Sequence, residues 1–489
     1  MVLAFFYLGC IGLILSLSLL LPVFVGLIAG EMNVAFRLLA YLMLGAFIFG
    51  GLLLATLERQ NQTDQITNLL LMVLVWTLIP ISAAIPIMDI SNLTFVNALF
   101  ESVSGLTTSG ATILTKIENW PQSLIFWRIQ LQWLGGFLAL ITFIVILAPM
   151  GFGVVSTQYM LSGGKRGFGL GSIRVSQLVI NIWFMYIILT FLCSLWLLLS
   201  GIRPFYAVTL AMTAVSTGGF LPFDTSLKET VNPAALMAIG VFLSLGSISI
   251  FFQRSLIDFR FRKLSYDQEN YFVLGLILIM TIFFALSLTV ITEGEENIHF
   301  IFLIEAFMNS ASLVSTSAIE SRPGIMTLIP LTVILFIIIL GGSAFSISGG
   351  IKHYRIGAMV FRSLNEVDRL IYPNIVISDL FRLNYNNNHL MNAIWSFFIV
   401  AVLVVLAGTV MITATGIQFE AALTVTIAAF STSGPLYSSA WSEIGEKAWP
   451  GYSDFSTMAK VTIMIISLLG RLEILSVLGF LSLRDWRRR

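Results

Sequence analysis

The stretch SGLTTSGAT, residues 104–112, carries five hydroxyl side chains, two glycines and no charge, yet long apolar runs flank it. At membrane depth each of its polar groups needs a hydrogen-bond partner, so such a tract is costly unless something uses it. It is also not alone. Four stretches share one plan, a short apolar helix-like run followed by a hydroxyl-rich tract: FVNALFESVSGLTTSGAT (95–112), FYAVTLAMTAVSTGGFLP (205–222), IEAFMNSASLVSTSAIES (304–321) and FEAALTVTIAAFSTSGPL (419–436). Aligned, the tracts set Thr107-Thr108-Ser109-Gly110 over Ser216-Thr217-Gly218-Gly219, Ser315-Thr316-Ser317-Ala318 and Ser431-Thr432-Ser433-Gly434. Their anchors recur at spacings of 109, 99 and 116 residues. Repetition at this scale marks a repeated structural unit.

Composition sets the medium. Of 489 residues, 57% are hydrophobic and only 10% charged, with a mean hydropathy of +0.95. Soluble domains carry about 25% charged residues, so this is an all-α polytopic membrane chain. The net charge of +1 gives no basis for nucleic-acid binding. Cys10 and Cys193 lie in apolar runs, and His299, His353 and His389 are scattered, so no cofactor, zinc site or His/Cys catalytic cluster is expected and the chain does not read as an enzyme.

Windows of about 20 apolar residues suffice to span a bilayer. They fall near 3–29, 36–57, 68–88, 124–150, 177–200, 232–253, 270–292, 324–348, 391–416 and 458–483. The first exceeds a signal-peptide core and reads as a retained transmembrane helix. With the N-terminus inside, cytoplasmic connections hold Arg59; Lys165, Arg166 and Arg174; Arg254, Arg260, Arg262 and Lys263; Lys352, Arg355, Arg362, Arg369 and Arg382; and the closing RDWRRR. The outer loops are poorer in basic residues and include the acidic TEGEENIH, so the positive-inside rule places both termini in the cytoplasm. No cytoplasmic loop has room for a nucleotide-binding fold.

The resulting organisation is an N-terminal helix pair (1–60) and four helix–pore-loop–helix repeats (61–160, 161–260, 261–375, 376–489) around a pseudo-fourfold axis. Re-entrant backbone at this depth is tolerated where protein buries it or where it lines a watery cavity. Four tracts around one axis would turn their carbonyls inward to replace a cation's hydration shell. Glycine would permit the positive φ this requires, and the short helices would aim their negative C-terminal ends at the ion. The plain alternative, a loop rich in turn-forming residues, suits one such tract but not four in register.

The chain resembles the membrane subunit of the Trk-type bacterial potassium uptake system, in the Trk/Ktr/HKT superfamily. SGLTTSGAT, QWLGG (132–136), STGGF (216–220), SGGIK (348–352) and GRLEI (470–474) follow that family's order across nearly the whole chain. The resemblance implies potassium uptake through a channel-like pore in the bacterial inner membrane. It also implies a homodimer with one pore per subunit, gated by a cytoplasmic ring of nucleotide-binding regulatory subunits. A less selective potassium/sodium pore or a cation-coupled symporter is the alternative; a transporter of an organic substrate is more remote.

Other features have two readings. Arg471 lies mid-span, where a charge costs about 2.5–3.5 kcal/mol; it either locks helices with a carboxylate such as Glu473 or, by resemblance, sets an electrostatic barrier beneath the filter. LGGSAFSISGGIKHYR (340–355) should unwind a spanning helix at Gly341, Gly342, Gly349 and Gly350. Its glycines suit close helix packing or, by resemblance, a gating loop that includes Lys352. Trp127 and Trp133 fit an interfacial belt, Arg128 a structural anchor, and Gly135-Gly136 close packing. Glu101 and Glu420 either steady the filter or draw cations outside it. Finally, Ala318 stands where the other tracts have glycine; if φ is positive there, its Cβ costs roughly 1–2 kcal/mol.

Overall fold

A computed structural model describes residues 2–57, 65–147, 175–224, 226–257, 268–291, 299–371, 388–437, 441 and 448–472. Among these residues the regular structure is entirely helical. Most basic residues used to orient the chain, the segment 292–298 and Glu473 lie outside the described residues.

The N-terminal helices α1 (Val2–Ser18) and α2 (Leu20–Ile28) together form one span, which pairs with α3 (Met32–Thr56). Its close approach is set by Gly12, whose missing Cβ leaves room for the Phe49 ring. The pair is joined to the rest by Glu31, whose carboxylate accepts from Gln122 N (2.6 Å), Ser123 N (3.1 Å) and Ser123 Oγ (2.6 Å). A carboxylate there satisfies main-chain donors that a helix start leaves unpaired and suits its positive end.

Four units then follow. The first is α4 (Gln65–Ser91), α5 (Phe95–Leu106) and α6 (Gln122–Ile141); the second is α7 (Val175–Leu199), α8 (Pro204–Val215), α9 (Pro233–Ser247) and α10 (Ile250–Ile257). The third comprises α11 (Gln268–Ile291), α12 (His299–Val314), α13 (Leu331–Leu340) and α14 (His353–Ile371). The fourth is α15 (Asn388–Thr413), α16 (Phe419–Phe430) and α17 (Thr457–Leu472). Prolines at the first position of α8 and α9 are pre-set for helix starts, and Asn232 caps α9 by accepting from Ala235 N at 2.9 Å. In each unit the short helix ends at a hydroxyl-rich tract. The inner helix of each unit packs on the short helix of the next: α6 on α8, α9 on α12, α13 on α16 and α17 back on α5. That closure makes a four-membered ring, with units one and three opposite each other.

Seven described helices are long and apolar enough to cross a membrane. Two expected spans are different. The window 232–253 is broken, because α9 and α10 meet at 117°. Asn270 Oδ1 accepts from Ser249 N (2.9 Å), and Gln253 Nε2 donates to the freed carbonyls of Leu245 (2.6 Å) and Ile248 (3.0 Å). The window 324–348 shrinks to the ten-residue α13, and residues 341–352 are irregular. Trp127 and Trp133 form no belt: both are buried, Trp127 beneath Ala83 and Trp133 donating to Thr190 Oγ1 at 3.0 Å.

Candidate functional site

The four tracts meet at the centre of the ring, each entered from the C-terminal end of its short helix. Their first three side chains are at most 1% exposed wherever they are Ser or Thr. The second residue of every tract has a positive φ: Thr108 (58°), Thr217 (49°), Thr316 (62°) and Thr432 (55°). A β-branched residue in that region is strained and rare; four in register are a built feature, because such strain persists only where the surroundings over-determine it. The glycine expectation is therefore corrected. Left-handed backbone common to all four tracts falls on threonine.

At the fourth position φ is positive at Gly110 (75°) and Ala318 (54°), but not at Gly219 or Gly434. These two glycines are needed for space: a Cβ at Gly219 would collide with the Pro435 ring, and one at Gly434 with the Ala111 backbone. Gly110 has both constraints, with Gly219 packed against it. Ala318 thus holds a strained conformation that the glycine of the opposite unit holds freely. Ala318→Gly should relieve about 1–2 kcal/mol and raise the rubidium-over-sodium flux ratio in liposomes; an unchanged ratio would mean the Cβ is accommodated.

Neighbouring tracts are tied directly. Gly434 N donates to Ser109 O at 2.7 Å, and Ser317 Oγ donates to Gly218 O. Among the described residues, the hydroxyls of Ser109, Thr217, Ser431 and Thr432 are buried without a protein partner. A concentration of such oxygens at one place calls for an explanation in function.

Beneath the ring lies the irregular segment 341–352. Gly349 N donates to Thr316 Oγ1 at 2.8 Å, and any Cβ at Gly349 would collide with the Ser431 carbonyl and Thr432 Oγ1. The segment also pairs its main chain with the α9–α10 break: Ser343 N to Ser247 O (2.9 Å), Ile347 N to Gly246 O (3.2 Å) and Ile250 N to Phe345 O (3.0 Å). Gly350 takes φ 80°. Lys352 folds back, its Nζ donating to the carbonyls of Ser346 (3.3 Å) and Ser348. Arg471, on α17, joins segment to tract, with Nη1 on Ile347 O (2.7 Å) and Nη2 on Thr108 Oγ1 (2.8 Å).

Behind the tracts the supports differ by unit. Glu101, fully buried on α5, accepts from Ile113 N (2.6 Å) and Thr112 Oγ1 (2.8 Å) and pairs with Arg128 on α6 (2.9 Å). The Arg128 guanidinium also donates to Thr112 Oγ1 (2.7 Å) and lies 4.4 Å from the Phe220 ring centroid, reaching the second unit. In the third unit Asn309 Oδ1 accepts from Ser321 N at 3.0 Å. The second tract is held from outside by Gln132, which accepts from Phe220 N at 2.9 Å, and the fourth by Tyr452, whose hydroxyl donates to Gly434 O at 2.9 Å. Glu420, by contrast, is exposed at the start of α16, so the two glutamates have different surroundings. Gly135 lets α6 touch the last turn of α5, where a Cβ would meet Leu106 O.

Comparison with known proteins gives consistent matches. The profile of a family described as TrkH, cation transport protein, matches residues 38–484. A Trk system potassium uptake protein TrkH from Halomonas elongata is 28% identical over 494 residues, covering 98% of each chain. Its counterpart from Escherichia coli is 26% identical over 436 residues, 88% of each. The crystal structure of the potassium transporter TrkH from Vibrio parahaemolyticus superposes with a TM-score of 0.84 at 23% identity, over 99% of both chains.

Proposed function

The chain belongs to the TrkH family of cation transport proteins, and we propose that it takes up potassium through a pore whose filter is the ring of four tracts. The observation that carries this reading is the left-handed threonine in every tract. A residue of that conformation redirects the peptide groups on either side of it, and four around one axis can present carbonyl oxygens in place of water. The filter residues are Thr107–Gly110, Ser216–Gly219, Ser315–Ala318 and Ser431–Gly434, with the C-terminal ends of α5, α8, α12 and α16 supplying negative potential.

In this reading the segment around Gly349 and Gly350 is the gate, since it abuts two tracts from below, with Lys352 bracing its turn. Arg471 locks it and repels cations at the same point. The alternative of a simple helix-locking pair is weakened by its partners, a loop carbonyl and a filter hydroxyl. The relatives named above are potassium uptake proteins, and potassium is accordingly the proposed substrate. We further propose a homodimer in the bacterial inner membrane, with both termini cytoplasmic and a nucleotide-binding regulatory subunit beneath the gate.

The test is growth rescue of a potassium-uptake-deficient bacterium at low potassium, with rubidium and sodium fluxes measured in parallel. Rescue by the wild-type chain is expected. Gly110→Ser should abolish it, because the side chain meets both a positive φ and the Gly219 backbone. Absence of rescue, or rescue indifferent to Gly110, would overturn the reading.

A further inference from the structure

The fourfold ring is two-fold in its supports. Six residues before the first residue of each tract stand Glu101, Leu210, Asn309 and Val425, so units one and three carry a polar group where two and four carry an apolar one. Six residues after that first residue stand Ile113, Pro222, Ser321 and Tyr437. Only in units one and three does the earlier side chain accept from the later main-chain N–H: Glu101 from Ile113 at 2.6 Å and Asn309 from Ser321 at 3.0 Å. Proline at 222 has no N–H to give. The same two units are those with positive φ at the fourth tract position, Gly110 and Ala318. A brace that joins the short helix to the irregular segment leaving the tract closes a loop around the tract. It holds the left-handed fourth residue in place.

We propose that units one and three, on opposite sides of the axis, are the pair that sets ion discrimination, and that Glu101 and Asn309 are its positioning residues. Neither touches the ion. Each acts through the main chain that its acceptor oxygen holds, and both are fully buried, so solvent cannot replace that oxygen. Arg128 orients Glu101 through their ion pair, whereas Asn309 needs no counter-charge and is oriented by donating to Ser321 Oγ (2.8 Å) and Glu305 O (2.7 Å). Units two and four, held by Gln132 and Tyr452 from other elements, follow the shape this pair imposes. The inference rests on the tracts being the filter.

The experiment compares two double variants reconstituted in liposomes, both lacking the buried ion pair. Glu101→Gln with Arg128→Met keeps an acceptor for Ile113 N; Glu101→Leu with Arg128→Met removes it. The rubidium-over-sodium flux ratio is read beside total rubidium flux. We expect the glutamine variant to stay within about threefold of wild type and the leucine variant to lose at least about tenfold in the ratio. Equal ratios in the two variants, whether both high or both low, would overturn the proposal. If the leucine variant does not reconstitute, Asn309→Leu decides, since it removes the opposite brace without stranding a charge: a tenfold loss supports the pairing and an unchanged ratio refutes it. Leu210→Ala is expected to leave the ratio unchanged, and a loss there as large as at Asn309 would show that no pair is special. Failure of the filter reading itself is a separate outcome, seen as wild-type liposomes passing rubidium no faster than protein-free ones.

Discussion

Arg471→Gln is expected to raise potassium flux into liposomes by about tenfold to a hundredfold. The guanidinium sits within hydrogen-bond reach of the Thr108 hydroxyl and the Ile347 carbonyl at once, so under the proposed filter and gate, removing it acts on two barriers. The first is Coulombic: two like charges about 6 Å apart repel by about 3 kcal/mol at an effective dielectric of about 20, which is roughly a hundredfold in ion occupancy. The second is mechanical, because the bond to Ile347 O holds the 341–352 segment, the proposed gate, against the first tract. Arg471→Lys separates the two, keeping the charge while losing the forked contact. Flux near wild type in the lysine variant and high flux in the glutamine variant would assign the larger share to charge. Unchanged flux in both would sink the pore-facing role.

Gly349→Val is expected to leave a pore that conducts without the proposed regulatory subunit. The Cβ has no space, facing the Ser431 carbonyl and Thr432 Oγ1, and backbone atoms of the fourth tract cannot move aside cheaply. The loop must therefore withdraw, taking with it the Gly349 N bond to Thr316. Shortening Ser343–Gly349 should have the same result by a different route. Rubidium uptake by liposomes holding the membrane subunit alone is the measurement, with an increase of about tenfold expected; a variant still silent without its regulator would refute a gate at this position.

Much of the architecture is legible in the chain because the tracts repeat, and repetition needs no tertiary knowledge. The tracts of 104–112, 216–222, 315–321 and 431–436 locate the four units, and the apolar windows locate most spans. Conformation within the tracts is another matter. Glycine is the usual host of positive φ, yet the neighbours here force it on Thr108, Thr217, Thr316 and Thr432, which local preference does not foretell. The break after Ser247 is similarly tertiary, since Asn270 and Gln253 supply the partners that make it tolerable. Trp133 reads as a membrane-surface residue until Thr190 and the stacked Tyr186 ring enclose it. The alternation of Glu101, Leu210, Asn309 and Val425 was available by carrying the alignment six residues upstream of the tracts, though nothing in those four letters says that two of them reach a main-chain N–H on the far side.

The three main-chain bonds between the 341–352 segment and the α9–α10 break bear on how opening responds to heat. An amide–carbonyl bond is worth about 4–6 kcal/mol in an apolar medium, so parting all three before water arrives costs up to about 12–18 kcal/mol of enthalpy. Ion passage through an already open pore meets no such step. Warming should therefore speed opening far more steeply than it speeds each ion's transit, a steep temperature dependence of the opening rate that the Gly349 variant lacks.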